Sequence, residues 1–362
     1  MDNRRQGIHG SFPLLAVAAA LLAGLPLVGV LAAGHDLRPY LHLPPLPPNV
    51  DQPPFSWPVF LGLTALLAIV LLPPARRLAH ALRHTPLPPP ASSFPGWGWA
   101  GVGLTATAWL LAWNRYSWFA PWQAYTFFPL WLGFILTVNG LCQWRHGSCL
   151  LGKDPSLFGR LFLYSIPFWW FFEYLNRFVG NWRYVGVEDF SPLGYALHAS
   201  LCFATVLPAV ASVADLLAGF TSLWRPLTGQ RALPLHRRSG VLILAPACLG
   251  LLLIGRYPAY AFPLLWIAPG LVFLGLQLLA GQPSALAPLA RGDYRPVVLW
   301  PLAALTCGFF WEMWNARSLA HWEYAVPFVD RFHLFYMPLI GYAGYLPFGV
   351  ECLVAVNLAR QA

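Results

Sequence analysis

Residues 161–184, LFLYSIPFWWFFEYLNRFVGNWRY, form an apolar run that ends in Glu173-x-x-Asn176 and is followed by Trp182-x-Tyr184. The apolar run predicts a membrane-spanning helix, since a bilayer core takes roughly 20 apolar residues in helical form. Asn176 lies one turn beyond Glu173 on the same helix face. An ionisable side chain inside a membrane is costly, so this acid is a candidate for function.

The same signature recurs later in the chain, where Glu312-x-x-Asn315 ends a second apolar run and precedes Trp322-x-Tyr324. Three further landmarks keep nearly the same spacing and the same order: Arg115-Tyr116 with Arg256-Tyr257, Phe128–Leu130 with Phe262–Leu264, and Leu207-Pro208 with Leu346-Pro347. Shared composition does not produce five such matches in one order. The sequence therefore predicts a two-helix N-terminal segment with Pro-rich connectors and two tandem four-helix repeats, over 1–95, 96–225 and 238–360.

The composition excludes an ordinary soluble domain. The chain has 362 residues, is 58% hydrophobic and 10% charged, and has a mean hydropathy of +0.56, whereas soluble domains are about a quarter charged. Ten segments approach the length of a membrane span: 12–33, 55–72, 96–113, 125–141, 161–175, 192–220, 240–255, 259–280, 296–314 and 334–358. The predicted fold class is all-α, a polytopic helical membrane protein with about ten transmembrane helices.

The positions of the basic residues predict the orientation of these spans. Cytoplasmic loops keep an excess of Lys and Arg. With the N-terminus in the cytoplasm, fifteen of the 22 basic residues fall on the cytoplasmic side. We expect a bacterial inner-membrane protein with both termini cytoplasmic, whose charge needs no nucleic-acid partner. The length of the first span favours an anchor over a cleaved signal peptide, although both stay open.

The two Glu-x-x-Asn pairs are the candidate catalytic groups, because equivalent residues of two repeats with the same orientation face a common centre. We expect a central cavity to be lined by Glu173, Asn176, Glu312 and Asn315. Candidate substrate contacts are Trp182, Tyr184, Trp322, Tyr324 and His198. The alternatives are a structural clamp for the Glu and Asn pairs, an aromatic belt at the membrane interface, and a structural role for the histidine.

Other chemical signatures are absent from the sequence. No CxxC pair, no His and carboxylate spacing suited to a metal, and no Gly-rich phosphate loop occurs. We therefore expect neither a metal nor another cofactor, and no ATP-driven transport by this chain. Two further acids, Asp215 and Glu351, are expected near the inner ends of the sixth and tenth spans, as interfacial groups or as part of a site.

The segment from Glu173 through Asn176 and Gly180 to Tyr184 resembles bacterial membrane families that hydrate carotenoid ends or cyclise them, such as the lycopene cyclases. Those families carry a Glu at the end of a span, then a Gly-rich aromatic turn, and later a Gly-x-Pro-x-Glu element, to which Gly344–Glu351 is similar. The resemblance implies proton transfer to a lipid-soluble alkene, with aromatic rings that stabilise a carbocation.

These observations give one leading function and two alternatives. The leading hypothesis is a metal-free, membrane-embedded enzyme that transfers protons on an isoprenoid or other lipid, with the two Glu residues as acid and base. A proton-coupled transporter or lipid flippase would use the same acids at the repeat interface. A non-catalytic subunit would instead bind membrane-protein partners through its apolar faces. The expected partner is a membrane lipid or a lipid-soluble substrate in the first two cases.

Overall fold

A computed structural model describes residues 2–42, 51–86 and 88–361 of the chain. Within this part the protein is nearly all-α. The helices are α1 (Asp2–Ala32), α2 (Trp57–His84), α3 (Gly96–Trp113), α4 (Phe127–His146), α5 (Leu150–Lys153), α6 (Pro155–Val179), α7 (Pro192–Phe203), α8 (Val206–Ala218), α9 (Thr221–Trp224), α10 (Arg237–Arg256), α11 (Pro258–Ala261), α12 (Ala268–Ala280), α13 (Pro296–Asn315) and α14 (Tyr345–Gln361). Short 3₁₀ turns connect several of them.

The described residues also contain four short strands: β1 (Trp182–Val185), β2 (His321–Tyr324), β3 (His333–Leu334) and β4 (Met337–Pro338). β1 pairs with β2, and β3 pairs with β4, in both cases antiparallel. The β1–β2 pair, called the ribbon below, joins the loops after α6 and α13. It defines one end of the helical assembly, which we call the ribbon end.

Seven of the described helices are long and apolar enough to cross a membrane, and the bent pair formed by Pro258–Trp266 and Ala268–Ala280 is an eighth candidate. Helical segments also lie at the predicted third and fifth spans, as α3 and α6, but these two do not meet the same criterion of length and hydropathy. The chain therefore has several helices suited to crossing a membrane, and the count of ten stays a prediction.

Two predicted spans differ in their internal structure. The sixth is broken between α7 and α8, where Ser165 Oγ of α6 donates to the carbonyl of Phe203 and accepts from the N–H of Leu207. The tenth was expected to begin at Leu334, but that residue lies in β3, and α14 begins only at Tyr345. The two short strands β3 and β4 and a 3₁₀ helix over Leu339–Gly344 precede α14 there. Of the expected Pro-rich connectors, residues 43–50 and 87 lie outside the described residues.

Close helix contacts bring the two halves of the chain together. α1 packs against α10, and a Cβ on Gly255 would overlap the carbonyl of Pro26, so only glycine permits this approach. α8 contacts α13, and α14 contacts both α6 and α8. The centre of the assembly is filled by fully buried side chains, among them Trp131, Phe172 and Phe348. The buried core therefore extends continuously across both halves.

Helix α2 packs differently from the others, because it contacts the assembly near its two ends. Its C-terminal part lies against α9 and the adjoining 3₁₀ turn. At the ribbon end, the N–H of Ser56 donates to the carbonyl of Phe328 at 2.8 Å, and Phe332 packs on Phe60. Phe328, Phe332 and Phe335 all have positive φ angles, an uncommon backbone state for bulky residues. A strained loop thus holds the start of α2.

Candidate functional site

Glu173 is buried in α6, and three aromatic side chains donate hydrogen bonds to one of its oxygens. Oε1 accepts from Trp169 Nε1 at 2.9 Å, Trp182 Nε1 at 3.1 Å and Tyr184 Oη at 2.6 Å. Trp169 lies one turn earlier on the same helix, and the other two donors lie in β1. Trp182 and Tyr184, which the sequence predicts as candidate contacts, therefore meet at this carboxyl group.

Glu312 is buried in α13 and has a closely similar environment. Its Oε1 accepts from Tyr324 Oη at 2.7 Å and from Tyr345 Oη at 2.6 Å. Trp322 Nε1 donates to Tyr324 Oη at 2.7 Å, so the tryptophan supports the carboxyl through the tyrosine. The structure thus contains two Glu centres, each contacted by a Trp-x-Tyr strand.

The second oxygen of each carboxyl group has no partner in the structure. Oε2 of Glu173 and Oε2 of Glu312 are both buried and accept no hydrogen bond from the described residues. Buried polar atoms in native proteins are nearly always paired, and an exception calls for an explanation. Each centre therefore keeps unused capacity to hold a proton or to bind a polar group.

Asn176 and Asn315 fix the ribbon to the helices. Asn176 Nδ2 donates to the carbonyl of Trp182 at 2.8 Å, and its Oδ1 accepts from the N–H groups of Asn181 and Trp182. Asn315 bonds the backbone of Trp322 in the same two-sided way, at 2.6 and 2.8 Å. The two amides hold the tryptophans in place and so act as a structural clamp, although this clamp fixes the ribbon and not a second span.

The ribbon register places the two Trp-x-Tyr sequences opposite each other. Trp182 pairs with Tyr324, and Tyr184 pairs with Trp322. Residues two apart in a strand share a face, so all four rings project to the same side, toward the two carboxyl groups. The central pair, Arg183 and Glu323, occupies the other face and forms a salt bridge at 2.8 Å. The Arg183 hydrogen bond lowers the pKa of Glu323 below its ordinary value.

A cavity of about 1220 Å³ lies between α2 and the rest of the helices. Its walls are mostly apolar, and at the ribbon end they are formed by the rings that surround the Glu centres, namely Trp169, Trp182, Tyr184, Trp322, Tyr324 and Tyr345. The two Glu and two Asn side chains are not among its lining residues. They lie behind the rings, so the expectation that they line the cavity directly is wrong: the ribbon covers them.

His198 lies in the cavity wall on α7. It stacks on Phe190 with ring centroids 5.1 Å apart, meets Tyr125 edge to face at 5.0 Å, and has Cys202 Sγ at 3.7 Å from Nε2. His198 therefore contacts the cavity, and among the described residues it makes no hydrogen bond to Glu173 or Glu312. Its position fits a residue that contacts a bound molecule through an aromatic cluster.

The two other singled-out acids do not form an equivalent pair. Asp215 lies on α8 and forms a salt bridge with Lys153 at 2.9 Å. Glu351 is buried in α14, and its Oε1 accepts from the N–H of Gly270 at 2.7 Å, in the first turn of α12. A carboxyl group at a helix N-terminus satisfies a free N–H and the helix dipole. Glu351 thus caps α12, whereas Asp215 is a half-buried group paired with Lys153.

Trp169 and Tyr345 donate to the two carboxyl groups and are functional candidates beyond those predicted from the sequence. The signal for Trp169 is its spacing four residues before Glu173, which places both on one helix face. Tyr345 has no such signal, because α14 brings it to Glu312 from 33 residues away. Among residues 2–42, 51–86 and 88–361, no group of three or more His, Cys, Asp and Glu side chains is arranged to hold a metal ion.

Comparisons with known proteins give no further information on the site. No protein-family model, curated protein or solved structure matches this chain. The resemblance to carotenoid-modifying families therefore stays a prediction, based on the residues from Glu173 to Tyr184.

Proposed function

We propose that this protein is a metal-free, membrane-embedded enzyme that transfers protons on an isoprenoid or another lipid. The proposal is based on one observation: two buried carboxyl groups are hydrogen-bonded to tyrosine hydroxyls whose rings line a large apolar cavity. Apolar pockets with a few convergent polar groups are typical of ligand and substrate sites. A lipid-soluble molecule would enter such a cavity directly from the bilayer.

The proposal also includes the number of membrane spans, their orientation and the internal repeat. We place the chain in a bacterial inner membrane with ten spans and cytoplasmic termini, arranged as two tandem repeats over 96–225 and 238–360. Supporting this, β1 and β2 pair symmetrically about Arg183 and Glu323, and Asn176 and Asn315 make matching contacts. An antiparallel pair of equivalent strands is what a pseudo-twofold axis along the membrane normal would generate.

In the proposed reaction the tyrosines pass protons between the carboxyl groups and the substrate. The Tyr184 hydroxyl, which donates to Glu173 Oε1 in the structure, turns toward the substrate and gives its proton to an alkene carbon, while the protonated carboxyl of Glu173 returns a proton to Tyr184 Oη. The resulting carbocation is stabilised by the faces of the surrounding rings. Glu312, as carboxylate, then takes a proton from a neighbouring carbon through Tyr324. One proton enters the substrate and one leaves it, so the net reaction is an isomerisation or a cyclisation, and the cycle closes when Glu312 releases its proton and Glu173 takes one up.

Substitution of the two acids tests this proposal. Glu173→Gln and Glu312→Gln keep the size of the side chain and an oxygen that accepts from the tyrosines, but the amide cannot exchange a proton. Each variant should fold and lose about a hundredfold or more of product formation. Lipid extracts from cells with the gene, without it, and with each variant are compared by mass spectrometry. Glu188→Gln, in the loop after β1, is the matched control and should leave the product unchanged.

The enzyme proposal fails if deletion of the gene leaves every lipid species unchanged.

A second function, movement of a lipid across the membrane, is favoured by the extent of the cavity. Its lining reaches from Arg77 on α2 to His321 in the ribbon, which is a path along most of α2. Vesicles reconstituted with the protein and a fluorescent lipid test this: transfer between leaflets that is lost in Glu173→Gln, with no new product, supports transport instead.

A further inference from the structure

The cavity has a basic end opposite the ribbon. Arg77 of α2 lines it there, together with Gln230, Arg231 and Tyr294. Arg77 donates a hydrogen bond to Gln230 Oε1, so α2 is joined at this point to the segment between α9 and α10. Tyr294 Oη in turn donates to the carbonyl of Arg231 at 3.2 Å. The polar groups thus form one connected rim around an apolar interior.

The charge of this rim is positive. Asp293 is the adjacent acid, and Arg295 already binds it in a two-point salt bridge at 2.9 and 2.7 Å. That hydrogen bonding lowers the pKa of Asp293 below its ordinary value, so the pair is ionised and neutral overall. Arg77 and Arg231 therefore line this end of the cavity without a lining carboxylate to balance them. Basic pockets between helices at the cytoplasmic face commonly bind anionic lipid headgroups.

We propose that this rim binds the phosphate-type anionic headgroup of a single-chain lipid whose chain fills the cavity and reaches the Glu centres. This rests on the proposed function, because it specifies the class and direction of the same substrate. Arginine suits the role, since its planar guanidinium forms paired hydrogen bonds with phosphate oxygens. The headgroup lies at the Arg77 end, and the distal chain lies among the aromatic rings of the ribbon.

The length of the cavity favours one long chain over an ordinary phospholipid. Leu63 and Arg77 both line the cavity and are fourteen residues apart on α2, about 21 Å of helix rise. One leaflet of a bilayer core is only about 15 Å thick. A lipid held at the basic end must therefore extend past the midplane to reach Trp182 and Trp322. A long isoprenoid phosphate meets this requirement, whereas a two-chain phospholipid confined to one leaflet does not.

Binding measurements with three lipid probes test the proposal. A long-chain polyprenyl phosphate, the polyprenol of the same length and a phosphatidic acid are titrated into the purified protein in detergent, and bound lipid is measured by native mass spectrometry. The polyprenyl phosphate should bind at least about tenfold more tightly than the polyprenol, because it adds charge-assisted hydrogen bonds. Inorganic phosphate should compete poorly, since it lacks the chain that the cavity encloses.

Variants of the rim give the second part of the test. Arg77→Gln and Arg231→Gln should each remove most of the preference for the phosphate over the alcohol, and Arg77→Lys should restore part of it. Arg76→Gln, next along α2 but outside the cavity lining, is the matched control and should bind like the unmodified protein. Arg231 is exposed and its side chain supports no described contact of the fold, so its variant stays informative if Arg77→Gln is unstable.

Equal binding of the phosphate and the alcohol, or equal loss in Arg76→Gln and Arg231→Gln, would overturn the headgroup proposal. Tighter binding of phosphatidic acid than of polyprenyl phosphate would overturn the choice of a single long chain. These outcomes are separate from failure of the enzyme proposal. If binding depends on the phosphate but lipid extracts do not change, the headgroup site is supported and the enzyme proposal is not. If product forms equally well in both arginine variants, the enzyme proposal is supported and the headgroup site is not.

Discussion

Each buried carboxyl group receives a further hydrogen bond, but the donor lies on the same helix as the Glu in one centre and on a neighbouring helix in the other. Glu173 receives it from Trp169, four residues earlier on α6. Four residues before Glu312 the chain has Gly308, and the donor is Tyr345 from α14. A Cβ on Gly308 would lie 2.5 Å from the ring of Tyr345, so the missing side chain leaves the space that this ring occupies. The two centres therefore obtain an equivalent donor through compensating differences in sequence.

The close contact between Gly308 and the Tyr345 ring predicts that Gly308→Ala is destabilising. The added methyl group displaces the Tyr345 ring and weakens its bond to Glu312, and such overpacking costs about 1–3 kcal/mol in the free energy of unfolding. Gly159→Ala in α6 is the matched control, because its Cβ would meet nothing within 4 Å. That variant should be unchanged or gain up to about 1 kcal/mol from better helix propensity. Thermal unfolding in detergent compares the two, and equal stability would show that the ring moves without cost.

The sequence pattern identifies the residues of the two Glu centres better than their roles. The repeated spacing identified both Glu residues and both Trp-x-Tyr pairs, because an ionisable group in an apolar run is conspicuous. It could not show that Asn176 bonds the backbone of Trp182, since that contact depends on how the loop folds back. Nor could it find Tyr345, whose hydroxyl reaches Glu312 through the packing of α13 against α14.

At the level of elements, the ribbon is the feature that the sequence did not predict. Trp182 and Trp322 were candidates for an interface belt in loops, yet they lie in strands that pair with each other. Four-residue strands carry little periodicity, and the paired residues Arg183 and Glu323 are 140 positions apart in the chain. The pairing depends on the placement of α6 and α13, which only the assembled helices fix. The helix positions themselves followed from hydropathy and were largely correct.

Helix α2 is the other element whose role the structure adds, because it forms one wall of the cavity. We predict that Leu67→Trp reduces lipid binding at least about tenfold, since a larger ring occupies volume that the lipid chain would fill. Ile69→Trp is the matched control, because Ile69 is 72% exposed and is not a lining residue. Native mass spectrometry with a polyprenyl phosphate measures both variants.

Normal binding by Leu67→Trp would contradict the assignment of α2 as a cavity wall, provided that the variant elutes as a single species in size-exclusion chromatography. Equal losses in both variants would instead indicate a general effect of tryptophan on α2. The comparison is sensitive because the two positions are two residues apart and face different directions on one helix. A difference between them therefore reports on the cavity alone.

The two halves of the chain are held together by buried helix contacts and by the ribbon, and one exposed segment links them covalently. Contacts of α1 with α10, of α8 with α13, and of the two strands of the ribbon all cross between the halves. The connecting segment 231–234 is exposed and lies outside every helix. Cutting such a segment removes few contacts, whereas the helix interfaces that join the halves remain.

We therefore predict that the chain reassembles from two co-expressed fragments, 1–232 and 233–362. An affinity tag on the first fragment should recover the second in equal amount from detergent extracts, because the apolar interfaces between the halves do not require a continuous chain. A cut inside α13, after Thr306, is the control and should abolish recovery, since it breaks the buried helix that carries Glu312. If the fragments insert separately and do not co-purify, the ribbon and the helix contacts are too weak to hold the halves together. Glu173 and Glu312 would then depend on the covalent link for their common position at one cavity.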